Sequence, residues 1–123
     1  KIFQHRSKLY LRYVYNFRTW LTNEFYLTNN YKYTYNFHAF VIILRKNDRE
    51  KFLNYLKKYN INAVISYVPL HKSKAGQIYK KNYDKLNNTN NLSKKIVRLP
   101  LHNHLSFNDI DYVCNKIKKY FNN

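Results

Sequence analysis

Tyr67-Val68-Pro69-Leu70-His71 closes an apolar run that begins at Ile61, and Lys72-Ser73-Lys74-Ala75-Gly76 follows at once. A phenol, an imidazole and a hydroxyl thus come just past a proline that halts a strand-like run, beside the only glycine of the chain. Ligands of α/β proteins meet the sheet where strands give way to loops, so this is where binding chemistry is sought first. Other groups invite chemistry too. His102 and His104 form a His-x-His pair that could bind metal with His71 as a third ligand, but a metal site needs three or four converging ligands, and none is expected here. Cys114 falls on an apolar helical stripe and reads as packing, not as a nucleophile. His38 precedes a buried strand and reads as structural, tying down backbone. Arg and Tyr interleave over residues 6–18, which could hold phosphates and stack bases; the favoured reading is two faces of an amphipathic helix.

The elements that would position these groups follow from periodicity. Tyr10, Tyr13, Val14, Phe17 and Leu21 recur at helical spacing, giving a first helix over residues 3–21. Residues 22–37 show no clear period and read as a loop with at most a short strand. Ala39–Leu44 is too short for a helix and rich in β-branched residues, a buried strand. Asp48 caps a helix with Phe52, Tyr55, Leu56 and Tyr59 on one stripe, and Asn60 stops it, since Asn tolerates the left-handed conformation. Ala63–Val68 reads as a second buried strand that pairs with the first. Beyond it the chain is polar to Asn91, with a helical turn near residues 77–81. A short helix capped by Thr89 or a neighbouring Asn is expected to end near Val97, before Pro100. The last helix has the clearest start: Ser106 as N-cap, Asp109 in the capping-box position, and Leu105 stapled onto Ile110. Its stripe is Ile110, Val113, Cys114, Ile117 and Phe121. The expected fold is α/β, a small sheet with helices packed on one side, as one domain over residues 1–123.

Composition bounds the function. Aromatics at 19% and hydrophobics at 45% of 123 residues are compatible with a packed core. One cysteine excludes an internal disulfide. No apolar run reaches membrane-span length and no secretory signal opens the sequence, so the cytoplasm is the expected compartment. There is no methionine and one glycine, so the chain is expected to be the tail of something longer. The formal charge of +17 is scattered instead of blocked. It would attract nucleic acid or another anion, yet scattered charge with so much Lys, Asn, Tyr and Ile fits compositional drift better, and only non-specific nucleic-acid binding is expected.

Several pieces in order resemble one family. Asn36-Phe37-His38-Ala39-Phe40 is similar to an Asn-x-His followed by an apolar strand; Asp48-Arg49 with Leu53 and Leu56 resembles the helix after it. Tyr67-Val68-Pro69-Leu70-His71 with Ser73 and Ala75-Gly76, then Thr89 and Ser93, then Arg98-Leu99-Pro100-Leu101 and Leu105-Ser106, complete the pattern. Together they resemble the sugar-nucleotide aminotransferases of the DegT/StrS type, in register over residues 36–121 and more loosely over the first helix. The segment around Tyr67 is closest to the branch that aminates 4-keto-6-deoxy sugars carried on dTDP.

That resemblance implies the C-terminal small domain of a pyridoxal-phosphate (PLP) enzyme of the aspartate-aminotransferase fold. It implies a nucleotide-sugar substrate and a homodimer partner for the full-length enzyme. The large domain, which holds the cofactor, would be absent here or supplied by a separate chain. The lysine that holds PLP and the carboxylate opposite its pyridine nitrogen would lie on that domain, so no catalytic or PLP-binding residue is expected in this chain. It gives Tyr67 and His71 a substrate-facing role; the plainer alternatives are a filler tyrosine, one of 14, and a loop histidine bonded to backbone. Two departures stand out: Ser66-Tyr67 where relatives carry His-Tyr, which removes an imidazole expected near substrate, and His102-Asn103-His104 where relatives have an aromatic pair and Asn. The competing class is a small basic nucleic-acid-binding module.

Overall fold

Apolar spacing alternates between three-to-four residues and two along the chain, and the elements follow it. The computed structural model describes residues 1–20, 23–28, 36–46, 48–79 and 86–123. The described elements are α1 (Ile2–Arg18), β1 (Phe25–Leu27), β2 (Phe40–Leu44), α2 (Arg49–Lys58), β3 (Val64–Ile65), α3 (Lys74–Ile78), α4 (Asn87–Ser93), β4 (Ile96–Leu99) and α5 (Phe107–Asn122).

The strands form one antiparallel sheet of four, in the order β1-β2-β4-β3. Phe40 pairs with Leu99 and Ile42 with Val97. Side chains alternate across a pleat, so Phe40, Ile42, Leu44, Val97 and Leu99 share one face, and all five are buried. That face carries the core: Leu9, Tyr13 and Phe17 from α1, Phe52 and Leu56 from α2, and Ile110, Val113 and Ile117 from α5 close over it. Rings interlock at its centre, with Tyr13 stacked on Phe40 at 4.5 Å between centroids. The expected α/β architecture, helices over one sheet face, is what forms.

Local signals place the helix ends. Ser106 Oγ accepts from the Asp109 backbone N–H at 3.2 Å, and the Asp109 carboxylate accepts from the Ser106 N–H at 2.7 Å, closing the capping box. Leu105 and Ile110 both join the core, as a staple requires. Asn60 ends α2 with φ at 58°, the left-handed geometry expected of it.

Several expectations are corrected. The first helix ends at Arg18 instead of residue 21, and Leu21 lies outside the described residues. The two apolar runs share a sheet but do not pair, because β4 lies between β2 and β3. Residues 96–99, expected at the end of a short helix, form that inner strand. Val97 and Leu99 point into the core while Ile96 and Arg98 face away, an alternation that suits a strand and no helix. Ala63–Val68 is not a buried strand: only Val64 and Ile65 pair, at the sheet edge, and both are exposed. The antiparallel register sets Ser66 opposite Ile96, where β4 begins, so the ladder runs out of partner after Ile65. Finally, α4 starts after Leu86, without a side-chain cap, instead of at Thr89. The turn expected near residues 77–81 starts earlier, as α3, because Ser73 caps it through the Gly76 N–H; residues 80 and 81 lie outside the described residues. Within residues 22–37 the short strand is β1, and residues 29–35 lie outside the described residues. No helix among the described residues is long and apolar enough to cross a membrane.

Candidate functional site

Beyond β3 the chain runs extended to Pro69 and then closes a 3-10 turn, Leu70–Lys72. Ser73 ties the turn to α3: its hydroxyl donates to the Leu70 carbonyl at 2.7 Å and accepts from the Gly76 N–H at 2.9 Å. The glycine is needed there, since a Cβ on residue 76 would stand 1.7 Å from the Leu70 carbonyl oxygen. This turn carries His71, whose Nε2 donates to Asn90 Oδ1 of α4 at 2.8 Å. The half-buried imidazole is therefore held between two segments, leaving Nδ1 as its acceptor in the neutral form.

Tyr67 stands differently. It is 86% exposed, and the Arg98 guanidinium of β4 lies over its ring, 5.9 Å from the centroid, the outer limit of a cation–π contact. Among the described residues no ring contact or hydrogen bond joins Tyr67 to His71. The two candidates share a segment, but Tyr67 lies near Arg98 of β4 while His71 is bonded to Asn90 of α4.

His38, read as structural, is itself exposed just before the buried β2 run. Asn36 Oδ1 meets its Nδ1 at 2.6 Å and its backbone N–H at 3.3 Å. Phe37 between them takes a φ of 48°, rare for a bulky residue, and packs its ring at 5.2 Å from those of Phe3 and Tyr10. The pairing of Phe40 with Leu99 brings His38 beside Arg98 and His102 around a pocket of about 230 Å³ at one end of the sheet.

The remaining candidates have structural partners. His102 and His104 have ring centroids 6.2 Å apart, and among the described residues no three metal-type side chains converge. Burial pushes the Cys114 thiol up to about 12, so it packs against the core as a protonated thiol. On α1, Tyr10 and Tyr13 are buried, Arg6 donates to Asn103 and Arg12 to Asp111. Four of the side chains that would stack bases or grip phosphates are thus engaged in the core and on α5, with Tyr15 left exposed, and the geometry does not favour the nucleic-acid alternative.

PLP needs a lysine held in a pocket and a carboxylate facing its pyridine nitrogen. No lysine among the described residues is buried. Asp109 is held by Ser106 and Asp111 by Arg12 and Asn16; those contacts keep both carboxyls below the usual range. The described residues do not fit the cofactor.

Sequence reasoning missed Asn90 as the partner of His71, for which no local signal exists. It took Arg98 only as part of a Leu-Pro motif, although a cation facing away from the core on a central strand was readable from the alternation.

Comparison with known proteins fits this geometry. Aminotransferase PseC of Helicobacter pylori, involved in the biosynthesis of pseudoaminic acid, superposes with a TM-score of 0.85 at 20% identity, over 98% of this chain and 33% of its own. Aminotransferase TlmJ of Streptoalloteichus hindustanus gives 0.82 at 18% identity, over 96% and 31%. The PLP form of Spr1654 from Streptococcus pneumoniae gives 0.76 at 20%, over 96% and 31%. This chain spans about a third of the length of the solved chains it matches. Residues 1–118 match the DegT/DnrJ/EryC1/StrS aminotransferase family, and the chain belongs to that family.

Proposed function

We propose that this chain is the substrate-side, C-terminal small domain of a cytoplasmic PLP-dependent sugar-nucleotide aminotransferase. The reaction is amination of a dTDP-4-keto-6-deoxyhexose, as in dTDP-4-amino-4,6-dideoxygalactose transaminase, in the biosynthesis of cell-surface polysaccharide. The observation that carries this reading is the family match over residues 1–118. The Tyr67–His71 segment, with its dTDP-sugar resemblance, supports the finer substrate. Tyr67 offers an exposed phenol and His71 a positioned imidazole, and both are assigned to substrate. The lysine and the acidic partner of PLP belong to a large domain, on the same polypeptide or a separate one, within a homodimer. This chain alone binds no PLP and is inactive.

The test is reconstitution. The chain is mixed with the PLP-binding large domain of a family member, and amination of dTDP-4-keto-6-deoxyhexose is followed with an amino-acid donor. Product is expected only when both parts are present, with Tyr67→Phe and His71→Ala raising KM. A bound-PLP absorbance band from the chain alone, abolished by mutating one of its lysines, would overturn the reading.

A further inference from the structure

We propose that His38, Arg98 and His102 form a binding site for a phosphate or diphosphate group. The three come from separate segments: the turn before β2, the middle of β4 and the loop after it. They line one pocket of about 230 Å³ together with Asn62 and the Leu99–Leu101 segment, and no carboxylate lines it.

Each of the three side chains is placed for an oxyanion. Among the described residues, no carboxylate or carbonyl accepts from the Arg98 guanidinium, which lies 5.9 Å from the centre of the Tyr67 ring. With no acceptor on it, the N–H fork of the guanidinium is placed to grip two oxygens of one phosphate. His38 Nδ1 meets Asn36 Oδ1 at 2.6 Å, which orients the ring and leaves Nε2, a donor to an oxyanion in the imidazolium form. The left-handed φ of Phe37 beside it is the kind of local strain that persists where a side chain must be held in place. His102 closes the rim. Its titratable neighbours are His104, at 6.2 Å between ring centroids, and Asp109, whose carboxylate is occupied by the N–H and hydroxyl of Ser106.

A formal charge of +17 attracts anions everywhere, so the experiment must separate a built site from diffuse attraction. Inorganic pyrophosphate is titrated into the 15N-labelled chain at physiological salt, where diffuse attraction is screened. Saturable shifts are expected at the amides of Ala39, Asn62, Leu99 and His102. Arg98→Gln should weaken binding about tenfold or more, as loss of a charge-assisted fork does. Arg98→Lys, which keeps the charge and loses the fork, should weaken it several-fold. Lys58→Gln, an equal charge loss on exposed α2, should leave it within about twofold. Unchanged amide spectra elsewhere verify the fold of each variant. No saturable binding, or equal weakening by Arg98→Gln and Lys58→Gln, overturns the site. Parallel titrations with dTDP and thymidine identify the source. Tighter binding of dTDP than of pyrophosphate assigns the site to a nucleotide; equal affinity assigns it to the phosphate group alone. The nucleotide arm rests on the sugar-nucleotide reading, whereas the pyrophosphate arm does not. Failure with pyrophosphate removes this pocket and leaves that reading to the reconstitution experiment.

Discussion

Arg12 and Asp111 lock α1 to α5 through two parallel bonds, Nε to Oδ1 at 2.8 Å and Nη2 to Oδ2 at 2.7 Å. Asn16 donates a third at 2.7 Å to the same carboxylate. The Arg12 hydrogen bond is the main reason the Asp111 carboxyl titrates below its ordinary 3.8. A carboxyl depressed in the fold contributes stability that is present above its unfolded value and lost as pH falls through its folded value. Asp111→Asn is therefore expected to lower the thermal midpoint at pH 7, with the gap to the parent narrowing below about pH 4. A gap independent of pH from 7 to 2 would show that the pair contributes shape and no charge linkage.

Tyr13 joins the ring stack on Phe40 to the Pro100 carbonyl, its hydroxyl donating at 2.9 Å. Burial holds its phenol well above the usual range, so it stays a donor throughout the working pH. Tyr13→Phe should cost about 1 kcal/mol by losing that bond. Tyr13→Ala should cost about 3–5 kcal/mol by emptying the core beneath it. Urea unfolding measures both, and comparable losses would mean that the hydroxyl, not the ring, dominates.

Nucleic-acid affinity is expected at low salt and should collapse by physiological salt, with no preference among sequences. Counterion release sets such a slope, and no stacking platform supplements it on α1. Tyr15, exposed on α1, is the residue to test: Tyr15→Ala should leave binding to single-stranded DNA unchanged. Submicromolar binding at physiological salt that this change weakens would restore the nucleic-acid reading.

Gly76→Ala should displace the Leu70 carbonyl and with it the turn that carries His71. The segment contributes no fully buried side chain, so the loss is expected to be local, with little change in global stability. The imidazole resonances of His71 and the side-chain amide of Asn90 should shift together, while core amides hold. Unperturbed His71 and Asn90 signals would refute the coupling.

Val64, Ile65, Val68 and Leu70 are exposed along the β3 edge and the segment after it, and Ile2, Phe3 and Leu11 are exposed on α1. An apolar surface at an open strand edge favours association. The chain is expected to bind a hydrophobic dye and to self-associate as concentration rises, and Ile65→Lys should reduce both. A monodisperse, dye-negative chain at high concentration would show that this surface is inert.

Local chemistry alone determined much of this protein. The stripes of α1, α2 and α5, the Ser106 capping box, the left-handed stop at Asn60 and the β2 run each depend on residues within a few positions of one another, so they are legible in a line of letters. The family, too, was legible, because its motifs are local strings in order. Tertiary structure decided what depends on neighbours far along the chain. Residues 96–99 became an inner strand because β2 offered a ladder more than fifty positions upstream, and that insertion pushed Val64–Ile65 to the edge and left them exposed. The same ladder set His38 beside Arg98 and His102, and the packing of α4 gave His71 its Asn90. A burial pattern reports that a residue needs a neighbour; only the folded chain supplies which one.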